Sequence, residues 1–316
     1  MKKISKSSKI FLAGHKGLVG SSLLNNLRNQ GYHNIITKTS KQLDLTNQSH
    51  VKTFFKMGNF DFVILAAARA GGIKANIDNK SQFIHKNLMI ALNVINFSYE
   101  NKVKNLIFFA SNCIYPELSS QPIKEKYLLT GELEESISYY AMAKISGLKL
   151  CQAFNKQFKT KYKVIIPPNL YGFNDNFNIL TAHVLPALLF KFHNAKKKDL
   201  KSVDVWGNGK QTREFLYVED LSSFIIYLMQ NWAKSDNYFI DKTYINVGTG
   251  KETSIKELSL KIADIVGYKG KIIFDKNKPE GTPRKVLDVS LSKKYGWKAE
   301  HNLEEGIKKT YKKQFN

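Results

Sequence analysis

The sequence predicts an α/β protein: a Rossmann-type, doubly wound parallel sheet with a smaller α/β substrate-binding domain at its C-terminal end. Two observations predict the main sheet. Short apolar runs alternate with longer amphipathic segments through the first half, and the apolar runs are continuous, as in strands covered on both faces. A change in this rhythm after about residue 172 predicts the second domain.

The predicted elements of the first half follow one another in strict alternation. Strands are predicted at residues 9–14, 33–37, 61–67, 105–111 and 162–167, and helices at 18–30, 47–57, 79–100 and 139–158. The strands are rich in Ile, Val, Leu and Phe, and each helical segment is long enough for about three turns or more. Residues 1–172 are therefore predicted to form a Rossmann domain.

The second half is less regular, so the predicted boundary between the two domains is not sharply defined. The turn-rich loop "YGFNDNFN" is followed by a helix near 182–193, a polar stretch "HNAKKKDLKS" and a helix near 219–233. A strand "TYINVG", a helix at 254–266 and a strand "KIIFD" come next. Residues 173–316 are predicted to form mainly the second domain, with some elements returning to the main sheet.

Composition excludes several classes of protein. The 316 residues are 43% hydrophobic, which indicates a packed globular chain. The cysteines, Cys113 and Cys151, and seven scattered histidines provide neither a disulfide framework nor a metal-ligand spacing, so no metal is expected. No apolar run approaches the roughly 18 residues of a membrane span, and His15 and Lys16 interrupt the one leader-like stretch at the start. We therefore expect a cytoplasmic protein that does not enter a membrane.

The formal net charge of +23 raises the hypothesis of nucleic-acid binding. The lysines are nevertheless spread along the chain, with only "KKK" at 196–198 as a run, which favours a lysine-rich solvated surface. No nucleic-acid partner is therefore expected. A basic field would still favour the binding of an anionic nucleotide.

A glycine-rich turn separates the first predicted strand from the first helix. In "IFLAGHKGLVGSSLLNNL", Gly14, Gly17 and Gly20 allow a tight turn and close backbone approach. The helix that follows offers free N–H groups and the positive end of its dipole. The strand–turn–helix context indicates a binding site for a dinucleotide pyrophosphate.

The residues after the second strand indicate which dinucleotide binds. An enzyme that uses NAD usually carries an acidic residue there for the ribose diol, whereas this chain has "TKTSKQLDL". Lys38 and Lys41, with Lys16 in the glycine turn, suit a 2′-phosphate by charge. These residues predict NADPH as cofactor, with Asp44 and Leu45 beside the adenine.

The segment "SYYAMAK" predicts a catalytic pair. Tyr140 and Lys144 are four residues apart, so they project from one face of a helix, whereas Tyr139 should point elsewhere, into packing. A neighbouring ammonium favours the phenolate and is expected to lower the pKa of Tyr140. Ser111, at the end of the fourth strand, is placed to hold a substrate carbonyl.

Long strings of the chain resemble the GDP-L-fucose synthase family of extended short-chain dehydrogenase/reductases. They are "AGHKGLVGS", "LAAARAGGI", "SNCIYP", "YYAMAK", "NLYGFNDNF", "HVLPALL", "VWGNGKQTREFLYVEDL", "INVGTG", "VGYKGKIIFD" and "PEGTPRKVLDVS". The resemblance covers nearly the whole chain. It implies NADPH-dependent reduction of a GDP-linked 4-keto sugar at C4, coupled to epimerisation at C3 and C5.

The resemblance also implies roles for residues that spacing alone would not assign. In the family, the cysteine and the histidine that match Cys113 and His183 act as base and acid in epimerisation. Further cofactor contacts are implied for Leu18, Val19, Ala67, Ala68, Tyr140, Lys144, Pro167, Asn169, Leu170 and His183. Substrate contacts are implied for Asn169, Val184, Trp206, Arg213 and Lys285. Helices 79–100 and 139–158 are expected to pair in a homodimer.

Several positions depart from the family pattern. Asn112 replaces a serine beside the cysteine, and "LAAARAGG" places Arg69 and Ala70 close to the substrate. Lys191 and Ser40 stand where arginines that bind nucleotide and cofactor are common. Most of these changes surround the sugar, so a C4 reductase without epimerase activity, acting on a GDP-4-keto-heptose, is the main alternative. A Rossmann-type redox-sensing or nucleic-acid-binding protein without catalysis is a remote one, because it predicts loss of Tyr140 or Lys144.

Overall fold

The computed structural model describes residues 4–278 and 281–315. Its strands are β1 (Ile10–Ala13), β2 (Ile35–Ile36), β3 (Phe62–Leu65), β4 (Asn105–Phe109), β5 (Lys161–Ile166), β6 (Asn169–Tyr171), β7 (Ser202–Trp206), β8 (Thr212–Tyr217), β9 (Tyr244–Asn246), β10 (Glu252–Ser254), β11 (Lys271–Asp275) and β12 (Arg284–Lys285). Its helices are α1 (Leu18–Asn29), α2 (Gln48–Gly58), α3 (Ile73–Asp78), α4 (Lys80–Glu100), α5 (Ser138–Phe158), α6 (Val184–Lys197), α7 (Val218–Gln230), α8 (Ile255–Val266), α9 (Ser290–Lys294) and α10 (Leu303–Phe315).

The main sheet has six parallel strands in the order β2-β1-β3-β4-β5-β9. One face packs on α2, α4 and α5, and the other packs on α1 and α7. Both faces are therefore buried, which is why β1 and β3 consist entirely of buried apolar residues. The predicted fold class, a doubly wound parallel sheet with a further α/β part, is confirmed.

A second group of strands surrounds β8. Strands β6 and β12 pair with it in parallel and β10 pairs with it in the antiparallel direction, while β7 and β11 form a separate parallel pair. Helices α6, α8 and α10 pack against these strands in a third core. The chain enters this group through β6 directly after β5, returns to the main sheet at β9, and leaves it again at β10.

The structure differs from the predicted elements mainly in the second half. The helix predicted near 182–193 begins at Val184 and ends at Lys197, so part of the predicted polar stretch is helical. Ala195 is buried on that last turn, which explains the extension. Among the described residues, no helix combines the length and the apolar character that a bilayer crossing requires.

Candidate active site

A cavity of about 230 Å³ lies between the carboxyl edge of the main sheet and the strands around β8. Many of the predicted site residues line it: Ser111, Asn112, Cys113, Tyr140, Asn169, His183, Val184, Lys191, Trp206, Arg213 and Lys285. We call the part at Ser111, Cys113, Tyr140 and His183 the catalytic end, and the part at Lys191, Trp206, Arg213 and Lys285 the cationic end. Within residues 4–278 and 281–315, no cluster of His, Cys, Asp and Glu is arranged to hold a metal ion.

Ser111 and Cys113 stand where β4 gives way to a short 3₁₀ turn. The backbone N–H of Cys113 donates to Ser111 Oγ, with 3.5 Å between N and Oγ, so Ser111 caps this turn. The side chain of Cys113 is buried. Burial raises the pKa of its thiol, against a hydrogen bond from Ser111 and the positive charges of Lys285 and Lys144. The thiol form therefore prevails at neutral pH.

Tyr140 and Lys144 lie one turn apart on α5, as predicted. Lys144 Nζ donates to the backbone oxygen of Phe109 over 2.8 Å and lies 5.6 Å from the centre of the Tyr140 ring. Burial lowers the pKa of Lys144 to about 8. Burial raises the pKa of Tyr140 far above its ordinary value, and the nearby Cys113 raises it further. The predicted lowering of the tyrosine pKa is thus not observed, because burial disfavours charge on both groups.

Tyr139 points away from the cavity, but it is 41% exposed and does not enter the packing predicted for it. Lys80 Nζ lies 5.9 Å from the centre of the Tyr139 ring. The register argument therefore chose the correct tyrosine for the cavity. The helical register does not indicate whether Tyr139, which faces elsewhere, is buried or exposed.

His183 forms the wall of the catalytic end. It occupies the N-cap position of α6, so its place is fixed by the start of that helix and Val184 follows it as the first helical residue. Surrounding protein lowers the pKa of the imidazole, which favours its neutral form at neutral pH. A neutral imidazole and a neutral thiol therefore line the same cavity.

The cationic end collects basic side chains from three elements. Arg213 on β8 and Lys285 on β12 are register partners on neighbouring strands. Lys191 on α6 donates to the backbone oxygen of Asp204 over 2.8 Å, and its Nζ lies 5.8 Å from the centre of the Trp206 ring. This end offers three basic side chains and an aromatic face to an anionic, planar ligand.

Glu134 is a cavity residue that the sequence analysis did not identify. Its buried carboxylate accepts from Thr282 Oγ1 over 2.6 Å and pairs with Lys285 Nζ at 3.4 Å. Burial raises the pKa of Glu134, but the charge of Lys285 and hydrogen bonds from Thr282 and Ser136 outweigh it, so the net shift is downward. Glu134 is one of three glutamates in "GELEES", so nothing in the sequence distinguished it.

The glycine turn has the geometry of a phosphate cradle. Gly14 adopts a φ of 89°, and a Cβ on Gly20 would lie 2.1 Å from the backbone oxygen of Gly14. A Cβ on Gly14 would lie 2.6 Å from the backbone nitrogen of Ala67, so β1 and β3 end close together here. Gly17 is the N-cap of α1 and directs the helix N-terminus to the same place. The turn therefore fits a pyrophosphate.

The residues predicted for the remainder of the cofactor lie at the same edge of the sheet. Lys16, Lys38 and Lys41 are exposed. The carboxylate of Asp44 accepts from the backbone and the hydroxyl of Thr46, and these hydrogen bonds lower its pKa. Of the other predicted positions, two open α1 and the rest come after β2, after β3, or after β5 and in β6: Leu18 and Val19, then Leu45, then Ala67 and Ala68, then Pro167, Asn169 and Leu170.

Two residues predicted to lie close to the substrate, Ala70 and Arg69, do not line the cavity. Arg69 lies beside an aromatic ring instead. Its guanidinium carbon lies 5.4 Å from the centre of the Phe83 ring, and Asn87 holds its backbone N–H and oxygen. Its role therefore stays a prediction. Pro279 and Glu280, which begin the string "PEGTPRKVLDVS", lie outside the described residues.

Comparison with known proteins adds independent findings. Residues 10–248 match the model of the NAD dependent epimerase/dehydratase family. The chain is 46% identical to a putative GDP-L-fucose synthase 2 of Arabidopsis thaliana over 98% of this chain and 92% of that protein. It is 43% identical to the GDP-L-fucose synthase of Escherichia coli K12, over 96% of this chain and 95% of that protein.

Two solved structures from Campylobacter jejuni are also similar to this chain. A GDP-6-OMe-4-keto-L-xylo-heptose reductase superposes with a TM-score of 0.92 at 38% identity. A GDP-mannoheptose C4 reductase with NADP bound superposes with a TM-score of 0.89 at 39% identity. Each comparison covers 98% of both chains.

Proposed function

The chain belongs to the NAD-dependent epimerase/dehydratase family, among the relatives of GDP-L-fucose synthase, and from this we propose that it reduces a GDP-linked 4-keto sugar at C4 with NADPH. The observation that carries the proposal is the shared cavity: Ser111 and Tyr140 line the same space as Arg213 and Lys285. A GDP-linked 4-keto sugar matches this arrangement, because it carries a carbonyl group for the catalytic end and a diphosphate for the cationic end.

The residues of the glycine turn fit the cofactor. NADPH, when bound, supplies the hydride that reduces the C4 carbon. Gly14, Gly17 and Gly20 would hold its pyrophosphate against the N-terminus of α1, and the exposed Lys38 and Lys41 would pair with its 2′-phosphate. The names of solved relatives that contain NADP or NADPH support this assignment.

In the proposed reduction, the C4 oxygen receives its proton from Tyr140. The raised pKa keeps the phenol protonated at neutral pH, and the alkoxide that forms on C4 is basic enough to take the proton. Ser111 donates a hydrogen bond to the same oxygen and polarises the ketone. Lys144, held by the backbone oxygen of Phe109, fixes the end of β4 against α5 and stabilises the phenolate after transfer.

We propose that Cys113 and His183 carry out epimerisation at C3 and C5 in the same cavity. The C4 ketone acidifies the protons on both neighbouring carbons, so a base and an acid beside the ring can invert them through an enolate. The Cys113 thiol must first lose its proton to solvent before the thiolate can remove a ring proton, and His183 then passes a proton from solvent to the enolate. The identity to GDP-L-fucose synthases supports this reading.

A C4 reductase without epimerase activity, acting on a GDP-4-keto-heptose, is a second candidate. Two observations favour it: burial raises the pKa of Cys113, which disfavours the thiolate, and solved heptose reductases superpose on nearly the whole chain. In that enzyme Cys113 and His183 would line the sugar pocket without transferring protons.

At the cationic end, the GDP portion is proposed to bind through Lys191, Trp206, Arg213 and Lys285. The guanidinium of Arg213 can donate two parallel hydrogen bonds to a diphosphate, and Trp206 offers a face for stacking on guanine. Asn169 and Val184 would contact the sugar portion. The product, a GDP-sugar, would serve as a glycosyl donor in polysaccharide synthesis.

A homodimer and a cytoplasmic location complete the proposal. Helices α4 and α5 pack side by side and expose apolar side chains, including Leu92, Met142 and Phe158, which an identical subunit would cover. Both cysteines are free thiols, as expected in a reducing compartment. Sedimentation of the wild type against Met142→Glu tests the dimer, since the charge should produce monomers.

The first experiment is incubation with GDP-4-keto-6-deoxy-mannose in deuterated water, with and without NADPH, followed by NMR. Deuterium at C3 and C5 with NADPH oxidation indicates the bifunctional enzyme. NADPH oxidation without deuterium at these carbons indicates a reductase only. No reaction with this sugar or with a GDP-4-keto-heptose would contradict the proposed function.

The control for this experiment is Tyr140→Phe. We expect NADPH oxidation to fall by about 10²–10⁴-fold, because the proton donor is lost, while calorimetry shows GDP binding unchanged. Turnover equal to that of the wild type would exclude Tyr140 as the acid.

A further inference from the structure

Asn76 is a buried cavity residue to which the proposed chemistry assigns no role. It lies on α3, which follows the turn Gly71–Gly72 after β3, and its side chain is only 4% exposed. Together with both glycines, it lines the same cavity as Ser111 and Tyr140. Asn76 therefore forms part of the wall of the proposed substrate pocket.

The hydrogen bonds of Asn76 fix the orientation of its amide. Nδ2 donates to the backbone oxygens of Gly71 and Gly72, with distances of 2.9 and 3.0 Å. A rotated amide would place Oδ1 against two carbonyl oxygens, so the assignment of the two atoms is not ambiguous. Oδ1 has no hydrogen-bond partner among the described residues. A buried amide oxygen is normally paired, so this unused acceptor calls for a partner.

The position of the Gly71–Gly72 turn places Asn76 near the catalytic end. The backbone N–H of Gly72 donates to the oxygen of Thr181 over 2.9 Å, two residues before His183. A Cβ on Gly71 would lie 3.4 Å from the Phe83 ring, and that ring lies 6.1 Å from the ring of Tyr140, centre to centre. The turn thus lies between the neighbours of Tyr140 and those of His183.

We infer that Asn76 Oδ1 accepts a hydrogen bond from a ring hydroxyl of the bound sugar and thereby selects sugars that carry this hydroxyl. The inference rests on the proposed function, because it requires a sugar at the catalytic end. An acceptor without a proton can pair only with a donor, so a deoxy, keto or O-methylated carbon at this position leaves Oδ1 unpaired. Asn76 is therefore a specificity-determining residue.

Asn87 provides a matched control. Its amide is equally buried and holds the same β3–α3 loop, but it bonds to the backbone of Arg69 and Phe83 with both its oxygen and its nitrogen. Asn87 does not line the cavity. Its replacement therefore disturbs the loop without removing an acceptor from the pocket.

The experiment measures kcat/KM for the parent GDP-4-keto sugar and for analogues that each lack one ring hydroxyl. We expect the wild type to discriminate against one analogue by at least about tenfold. Asn76→Ala should abolish that ratio, whereas Asn87→Ala should lower both rates and preserve it. Asn76→Asp keeps an acceptor oxygen while losing the Nδ2 donor, so it should weaken the turn yet retain the preference.

The outcomes separate this inference from the proposed function. If Asn76→Ala lowers every rate by one common factor, the inference is wrong and the proposed function stands. If Asn76→Ala does not fold, loss of the preference in Asn76→Asp overturns the inference. Calorimetry with GDP-mannose, which needs no turnover, gives the binding affinity of each variant as a second measure. A wild type that neither binds nor reduces any GDP-sugar contradicts both proposals.

Discussion

Cys113 and His183 line the cavity with pKa values that protein burial has moved in opposite directions, upward for the thiol and downward for the imidazole. Because burial raises the pKa of the thiol above its ordinary value of about 8.5, the thiolate is a minor form at neutral pH and its fraction grows with each further unit of pH. If Cys113 is the epimerisation base, deuterium entry at C3 and C5 should therefore rise from pH 7 to pH 9. Tyr140 stays protonated over that range, so reduction at C4 should not follow the same profile.

NMR exchange rates measured across this pH range test the expectation. Cys113→Ser should lower deuterium entry by about 10²–10⁴-fold, and Cys151→Ala is the matched control, because Cys151 is buried in the core cluster on α5. Exchange that is flat with pH, or that survives in Cys113→Ser, would assign the base to another group.

Single residues also show the limits of reading the sequence. The helical spacing indicated that Tyr140 and Lys144 share a face, and the structure has them one turn apart on α5. The predicted direction of the Tyr140 pKa shift was wrong, because the sequence pattern shows the neighbouring lysine and does not show that the phenol is buried. Glu134 and Asn76 were missed, since one lies among other glutamates and the other in a six-residue helix of mixed apolar and polar residues.

At the scale of elements, the turn between β1 and α1 supports a sharp comparison of two glycines. A Cβ on Gly20 would lie 2.1 Å from the Gly14 oxygen, whereas a Cβ on Gly17 has its nearest neighbour at 3.6 Å and a φ of −82°. Gly20→Ala should therefore distort the turn at a cost of about 1–3 kcal/mol and weaken NADPH binding. Fluorescence titration should show Gly17→Ala binding more tightly than Gly20→Ala. Equal affinities would mean that the turn does not hold the cofactor.

The elements that the sequence revealed are those with a strong pattern. Strands β1, β3, β4 and β5 are covered on both faces and read as apolar runs. Strands β6, β10 and β12 were missed, because they have two or three residues each and include polar ones. The longer strands β7 and β8 were also missed, because charged residues interrupt their apolar ones. Helix α10 was missed among its lysines, although Leu303, Ile307 and Tyr311 recur at every fourth residue on the face that meets the third core.

For the whole molecule, the excess of 49 basic over 26 acidic residues gives a field that attracts an anionic substrate. We expect kcat/KM for the GDP-sugar to fall at least about threefold between ~50 and ~300 mM NaCl, because salt screens this attraction. The kcat at saturating substrate should change little. A kcat/KM that is independent of salt would show that the charge does not act on substrate capture.

The cavity as a whole was less predictable than the sheet. Strand order follows from general rules on parallel sheets, but the cavity joins residues from distant parts of the chain, such as Glu134 with Lys285 and Asn76 with Tyr140. No local pattern encodes which of these residues meet at one cavity. The resemblance to known enzymes predicted that Arg213 and Lys285 contact the substrate. It did not predict that Glu134 lies beside them and neutralises part of their charge.

The return of the chain to the main sheet at β9 limits how this protein can be re-engineered. A fragment that ended at residue 172 would lack β9, and β5 would become an open edge able to pair with other molecules. The pocket walls come from segments on both sides of β9, since Trp206 and Arg213 precede it and Lys285 follows it. Exchange of one contiguous cassette with a relative therefore cannot transfer the whole pocket, and recombination between relatives must cross the chain at several points at once.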